Sequence, residues 1–187
     1  MSSTAQKRAT YEDLYTVPDS MIGEIIGGEL VTTPRPSRGH ANAAFTLSGE
    51  LAPPYRFGRG GPGGWIFLIE PEIRFGEDTL VPDLAGWRRE SFPVAEDHNW
   101  ISATPEWVCE ILSPGTVRLD RITKMSLYRL HAVRHVWLLD PVNRTLEIFG
   151  LSEAGGWLTL GLHAGDERVR AAPFGEMEIE LANLWLE

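Results

Sequence analysis

The sequence predicts a mixed domain of the α/β (α+β) class, with a β-sheet flanked by helices and a C-terminal antiparallel extension. Short apolar runs typical of strands alternate with segments of helical periodicity along the 187 residues. Two runs, "PEWVCEIL" and "RHVWLLD", are apolar on both faces and are joined by one helix, as in a right-handed crossover between parallel strands. Two later runs, "TLEIFGL" and "GGWLTLGL", follow one another as an antiparallel meander.

The first elements are predicted from caps, turns and periodicity. We expect residues 1–9 to be a flexible tail and residues 10–187 to form a single domain. Thr10 can cap a short helix, "YEDLYTV". "EIIGGELVTT" predicts a β-hairpin around Gly27-Gly28, and "HANAAFTLSGEL" predicts a helix that ends at Pro53-Pro54.

The middle of the chain predicts a long hairpin and then the crossover. "WIFLIEPEIRF" reads as one long strand, "GEDT" as its turn and "LVPDLAGWR" as its returning partner, before a surface excursion, "RESFPVAEDHNWISA". Thr116 can cap the crossover helix, "VRLDRITKMSLYRLH". Its apolar face is predicted to consist of Leu119, Ile122, Leu127 and Leu130. "MEIELANLWL" closes the chain with a short strand and a helical turn.

Composition restricts the class of protein. No apolar run approaches the ~20 residues of a membrane helix, and the N-terminus "MSSTAQKRAT" lacks the apolar core of a secretory signal. The only cysteine, Cys109, cannot form an internal disulfide and lies in an apolar strand, so we expect a cytoplasmic protein without a membrane partner. The net charge of −9 argues against a broad, non-specific grip on DNA but is compatible with a local basic cleft.

The most specific signal is an acid inside an apolar strand. Val108, Glu110 and Leu112 share one face of "WVCEIL", so Glu110 is predicted to be buried between apolar neighbours. A buried carboxylate normally pairs, shifts its pKa or binds a metal. Asp83 lies in a similar apolar setting, directly after Pro82. If the two strands are neighbours, the two carboxylates converge.

The crossover helix adds an amine. Asp120, Lys124 and Tyr128 have i, i+4, i+8 spacing and therefore share one stripe. Of 17 basic residues only Lys7 and Lys124 are lysines, which suggests that Lys124 does what arginine cannot. Two carboxylates suit Mg²⁺ or Mn²⁺, and a metal with its water beside a lysine suits phosphodiester hydrolysis.

Simpler explanations exist for each of these residues. Asp120 and Lys124 can form an ordinary helix ion pair, Asp83 can be a turn residue, and a buried arginine can satisfy Glu110. His40 can merely start a helix. Glu72, on the long strand, is kept as an additional ligand candidate.

Taken together, the motifs resemble the Uma2 family of restriction-endonuclease-like proteins, within the PD-(D/E)xK nuclease-like superfamily. The resemblance covers most of residues 20–150. The matching pieces are "GEIIGGELV", His40 after a Pro-rich loop, "VPD" at 81–83, "PEWVCEILSPGT" at 105–116, "DRITKMSLY" at 120–128 and "VRHVWLLDP" at 133–141.

The resemblance implies a mixed sheet flanked by helices and a divalent-metal site. Asp83 corresponds to the acid of the Pro-Asp element, and Glu110 to the acid of the Glu-x-Lys element, where this chain has "EIL". Lys124 would replace the missing lysine, and the carbonyl of Ile111 would be a third metal ligand. His40, Asp120 and Tyr128 match family positions as supporting residues. Gly23 and Gly27 stand where the family often has a tyrosine and an aspartate, which leaves the role of Glu24 undefined.

The leading hypothesis is a Mg²⁺-dependent (or Mn²⁺-dependent) endonuclease that hydrolyses DNA. Its candidate phosphate contacts are Arg35, Arg38, Arg118 and Arg121. The main alternative is a catalytically inactive nuclease-fold protein that serves as a DNA-binding or protein-interaction module. A third is a hydrolase that uses the carboxylate pair directly, as glycosidases do. Trp157 and Trp185 are candidates for a homodimer contact.

Overall fold

A six-stranded mixed sheet forms the centre of the protein. The computed structural model describes residues 8–93 and 97–186. Its strands are β1 (Met21–Ile26), β2 (Glu29–Pro34), β3 (Trp65–Ile69), β4 (Ile73–Phe75), β5 (Asp78–Leu80), β6 (Leu84–Arg88), β7 (Trp107–Ile111), β8 (His135–Asp140), β9 (Thr145–Leu151), β10 (Trp157–Ala164), β11 (Arg168–Val169) and β12 (Ile179–Glu180). The central sheet has the order β10-β9-β8-β7-β6-β3, and a second sheet has the order β2-β1-β5-β4.

The predicted crossover is confirmed. β7 and β8 are parallel neighbours, whereas the other pairs of the central sheet are antiparallel. Every residue of β7 is buried. β9 and β10 extend the same sheet as the expected antiparallel meander, and the strand and helical turn predicted at the C-terminus are β12 and a 3-10 turn at Leu181–Leu184.

The predicted long strand is wrong, because the chain changes sheets in its middle. β3 belongs to the central sheet and pairs with β6, whereas β4 belongs to the second sheet and pairs with β5. Pro71 and Pro82 lie in the two breaks and cannot donate to a strand ladder. Glu70 adopts a left-handed φ of 47° at the first break. The hairpin pairing itself is as predicted.

The N-terminal elements fold as expected. Helix α1 spans Tyr11–Leu14 and follows Thr10, whose N–H donates to Asp13 at 2.7 Å. β1 and β2 form the predicted hairpin. Residues 1–7 of the predicted tail lie outside the described residues, but the N–H of Ala9 donates to the carbonyl of Gly28 at 2.8 Å.

The second helix ends just before its proline pair, as predicted, and a π-helical turn follows it. Helix α2 spans Arg38–Leu51 and is capped by Ser37, whose hydroxyl accepts from the N–H of His40 at 3.3 Å. A π-helical turn, Ala52–Arg56, then carries the chain through both prolines. Prolines are tolerated at the start of a helical turn, where no N–H is required.

The crossover helix contains a π-helical turn, and this turn overturns one prediction. The chain is π-helical over Leu119–Lys124 and continues as helix α3, Met125–Leu130. A π-turn adds a residue and rotates the positions that precede it. Ile122, within the turn, is 60% exposed rather than part of the apolar face, and Leu130, the last residue of α3, is 73% exposed. Met125 and Tyr128 are buried instead.

Apolar clusters cover both faces of the central sheet. Helix α2 and the C-terminal segment lie over one face, where Trp65, Trp107, Trp137 and Phe174 pack edge to face. The crossover helix and the β4–β5 hairpin cover the other. Trp185 is buried in the first cluster and is thus not available for the dimer contact expected of it. None of the described helices is long and apolar enough to cross a membrane.

Candidate active site

A cleft of about 340 Å³ opens where β6 begins and β7 ends. The β1–β2 hairpin forms one wall and the π-turn of the crossover helix forms another. Because β6 and β7 are antiparallel neighbours, the residue before β6 and the last residues of β7 meet at the same edge of the sheet. The cleft brings together Glu24, His40, Asp83, Glu110, Ile111, Asp120 and Lys124.

Asp83 is fixed from two sides. One carboxylate oxygen accepts the N–H of Ile111 at 2.6 Å. The other lies 3.0 Å from Nε2 of His40. The strands that carry Asp83 and Glu110 are neighbours, as the predicted convergence required, and both residues line the cleft. His40 is a direct partner of Asp83 rather than only a residue at the start of α2.

Glu110 is buried, with 2% of its surface exposed, as predicted. The hydroxyl of Tyr128 donates to Oε1, and Nζ of Lys124 lies 3.3 Å from the same oxygen. Burial raises the pKa of Glu110 well above its usual range, and nearby Asp120 and Asp83 add to the shift, while Lys124 opposes it. No guanidinium neutralises Glu110 among the described residues, so the alternative of a buried arginine does not hold.

Lys124 is enclosed by three carboxylates. Its Nζ lies 2.9 Å from Glu24 and 3.8 Å from Asp120, in addition to Glu110. Burial lowers the pKa of Lys124, but the negative charges of Glu110, Glu24 and Asp120 outweigh burial and raise it above the usual lysine range. The ammonium is therefore charged, and the pairing with Asp120 is part of a buried network rather than an ordinary surface ion pair.

Glu24 is the residue whose role the sequence left undefined. It lies on β1, in the other sheet, and is 2% exposed. One oxygen accepts the N–H of Val81 at 2.8 Å and also contacts Lys124. Glu24 thereby connects the hairpin wall, the chain before Asp83 and the crossover helix. The one sequence signal for it was an acid within the apolar run "GEII".

The cleft holds more negative than positive charge. Among the described residues that line it, the acids Glu24, Asp83, Glu110 and Asp120 outnumber the cations Lys124 and Arg35. Arg35 is already paired with Glu70, and His40 adds a positive charge only when it is protonated. Burial raises the pKa of Asp120 to about 6. Burial lowers the pKa of His40, but the hydrogen bond and charge of Asp83 outweigh it and the net shift is upward. The upward shift of the pKa of Asp120 thus reflects mainly its burial, and that of His40 reflects the neighbouring carboxylate of Asp83.

This donor set fits a divalent metal ion in charge and chemistry. Carboxylate and carbonyl oxygens are the ligands that Mg²⁺ and Mn²⁺ prefer, and the excess of negative charge is what such an ion would offset. Among residues 8–93 and 97–186, no group of three histidine, cysteine or acidic side chains is clustered as metal ligands are. The candidate oxygen donors are the carboxylates of Asp83 and Glu110 and the carbonyl of Ile111, and all three residues line the cleft.

Several predicted residues lie elsewhere or are already engaged. Glu72 accepts a hydrogen bond from Tyr11 in a separate depression and does not line the cleft. Arg35 pairs with Glu70 at 3.2 Å, and Arg121 donates to Glu147 at 3.0 Å. Arg38 and Arg118 remain exposed near the cleft.

The mixed α+β fold is that of a solved protein described as a nuclease. A solved structure from Anabaena variabilis ATCC 29413, described as a "putative nuclease belonging to DUF820", superposes with a TM-score of 0.73 at 20% identity. The match covers 95% of this chain and 97% of that one. Residues 8–183 match the Uma2 family, described as "Putative restriction endonuclease". The chain belongs to the Uma2 family. No curated protein matches it.

Proposed function

We propose that the protein is a Mg²⁺- or Mn²⁺-dependent endonuclease that hydrolyses phosphodiester bonds in DNA through the PD-(D/E)xK-type constellation of this cleft. Asp83, Glu110 and the carbonyl of Ile111 would hold the ion. A divalent ion held there would supply an activated water molecule and offset the charge that builds on the phosphate. The single observation that carries the proposal is the buried excess of carboxylates around one ammonium.

The chain's own residues have definable parts in this proposal. Lys124 is a fixed positive charge that can stabilise the negative charge of the reacting phosphate. Glu24 and Asp120 hold the ammonium in place and keep it protonated. Tyr128 orients Glu110, and His40 orients Asp83. Arg38 and Arg118 are exposed and directly follow or precede a residue that lines the cleft, so they suit contacts to flanking phosphates.

The test is cleavage of supercoiled plasmid, single-stranded and branched DNA with Mg²⁺, with Mn²⁺ and with EDTA. We expect cleavage that needs the metal and that Glu110→Gln and Lys124→Met each reduce by about 100-fold or more. Arg129→Gln, on the exposed side of α3, is the matched control and should retain activity. Absence of cleavage of every substrate by the unaltered protein would refute the proposal, and activity that survives EDTA would favour direct carboxylate chemistry.

A second candidate is an inactive nuclease-fold protein that binds DNA or another protein. The observation that favours it is that Lys124 already contacts Glu110, and His40 already contacts Asp83, so the proposed ligands are occupied by internal partners. DNA binding without cleavage in the same series of reactions would support this candidate.

A further inference from the structure

Four arginines form a basic surface at the far end of α2 from the cleft. We call Arg56, Arg59, Arg88 and Arg89 the distal arginine cluster. Arg56 ends the π-turn after α2, and Arg88 and Arg89 follow at the end of β6. The two segments touch: the guanidinium of Arg89 donates to the carbonyl of Arg56 at 3.4 Å. Asp83 precedes the opposite end of β6, so the cluster lies one strand length, about 17 Å, from the cleft.

None of these four guanidinium groups has a carboxylate within ion-pair distance among the described residues. Glu176 senses the charge of Arg88 but has its own partner: its carboxylate accepts from the hydroxyl of Tyr55 at 2.8 Å, and this hydrogen bond, with a smaller effect of Arg88, lowers the pKa of Glu176. An acidic chain with a net charge of −9 has carboxylates available for pairing. Their recorded contacts leave the charge uncompensated: Arg56 donates to the carbonyl of Phe67 at 3.2 Å, and the guanidinium of Arg88 lies 4.3 Å from the ring centroid of Trp65. Four guanidinium groups on one surface without a carboxylate partner among the described residues therefore point to an external polyanion.

Aromatic rings accompany the arginines. Phe57 is 58% exposed, and the guanidinium groups of Arg59 and Arg56 lie 5.5 and 6.0 Å from its ring centroid. Phe45, in the middle of α2, is 77% exposed. Exposed rings beside guanidinium groups are the arrangement on which unpaired bases stack while their phosphates are neutralised.

Helix α2 connects this surface to the cleft. Arg38 and Phe45 are seven residues apart and thus lie on the same face of α2. His40, in the first turn, lines the cleft. The helix is about 21 Å long, at 1.5 Å per residue. Between positions 38 and 59 the chain has three arginines and one acid, Glu50, which accepts a hydrogen bond from Asn183.

We propose that a single-stranded nucleic acid segment binds along α2, from Arg38 at the cleft through Phe45 to Phe57 and the distal arginine cluster. The inference rests on the proposed function, since it names the substrate class: DNA with a single-stranded portion next to the scissile bond. Duplex DNA does not fit this surface as well, because its bases are already stacked on each other and cannot reach the two rings.

The test measures binding apart from cleavage, in EDTA, by fluorescence anisotropy with a labelled single strand of about 20 nucleotides and with the matching duplex. Phe45→Ser/Phe57→Ser should weaken single-strand binding about tenfold and leave duplex binding unchanged. Arg59→Gln/Arg89→Gln should weaken both and reduce the slope of log affinity against log salt by about 1.4 for the single strand. All four side chains are exposed, so these variants should fold normally.

The controls change equally exposed residues elsewhere. Leu130→Ser/Leu162→Ser removes exposed apolar side chains, and Arg129→Gln/Arg134→Gln removes two positive charges. Both controls should bind like the unaltered protein. The inference is overturned if the phenylalanine variant binds the single strand normally, if the unaltered protein prefers duplex, or if polyglutamate competes as well as DNA. These outcomes are independent of nuclease activity, so a protein that binds but never cleaves refutes only the proposed function.

Discussion

Lys124 is the residue on which the charge balance of the cleft depends. Three carboxylates contact its ammonium, and each of these contacts is buried. Removing one partner from a buried charge network leaves the others uncompensated, which typically costs about 3–5 kcal/mol. An arginine at this position would place a larger planar group in a space that holds a compact ammonium.

Lys124→Met is therefore expected to lower the free energy of unfolding by about 3 kcal/mol at pH 8. The loss should be smaller at pH 5, where the carboxylates can take up protons. Urea denaturation in EDTA at the two pH values measures both quantities. Adding Glu24→Gln to Lys124→Met removes one of the unpaired acids and should restore part of the loss. Unchanged stability of Lys124→Met would mean that the network is not formed.

Asp120 gives a second prediction, on pH dependence. Its pKa is about 6 in the folded protein and about 3.9 in an unfolded chain. The folded state thus binds the proton of the Asp120 carboxyl group more tightly than the unfolded state does. The stability gained from this tighter binding is fully present below pH 4 and is lost as the pH rises through about 6. Asp120→Asn has no carboxyl group to titrate and should not show this loss. Between pH 4 and pH 7, the free energy of unfolding of the unaltered protein should therefore fall by about 2 kcal/mol relative to that of the variant. Parallel pH profiles in EDTA would contradict the raised pKa.

Residues of the cleft differ in how far the sequence could predict them. Glu110 and Asp83 could be predicted because each is an acid within an apolar strand context, and Lys124 because lysine is so rare in this chain. Glu24 could not be assigned, since its contact with Lys124 depends on how the two sheets approach each other. The pairing of His40 with Asp83 likewise depends on where α2 begins in space.

At the scale of elements, alternation and periodicity predicted most strands and helices but not where the regular pattern is interrupted. The break at Pro71 divides one apolar run between two sheets, and this division allows the β1–β2 hairpin to form a wall of the cleft. The π-turn at Leu119–Lys124 keeps Asp120 and Lys124 inward while it exposes Ile122. Both interruptions lie beside the cleft, where regular geometry gives way to the placement of functional side chains.

Strand β6 supplies a prediction about packing. A Cβ atom added to Gly86 would lie 3.0 Å from the ring of Phe67 and 3.2 Å from that of Trp107, within the aromatic cluster. Gly86→Ala should therefore lower the free energy of unfolding by about 1–3 kcal/mol, because the aromatic rings must shift. Gly49→Ala is the matched control: nothing lies within 4 Å of that position on α2, and alanine should stabilise the helix by about 0.5–1 kcal/mol. Urea denaturation of both variants checks the pair, and a neutral Gly86→Ala would show that the cluster is loosely packed.

At the scale of the whole molecule, charge is distributed unevenly. The chain is acidic overall, its buried acids are concentrated in the cleft, and unpaired arginines lie at the other end of α2. The net charge predicted only that the protein lacks a broad surface for non-specific binding of nucleic acid. It could not show the local basic surface, because Arg56 and Arg89 are far apart in sequence and meet only through the pairing of β3 with β6.

The central claim is that the carboxylates of the cleft bind a divalent ion, and calorimetric titration with Mn²⁺ tests it most directly. We predict that the unaltered protein binds the ion, that Asp83→Asn binds it about tenfold or more weakly, and that Glu72→Gln, which changes an acid outside the cleft, binds it normally. No binding by the unaltered protein, or equal binding by Asp83→Asn, would contradict the account.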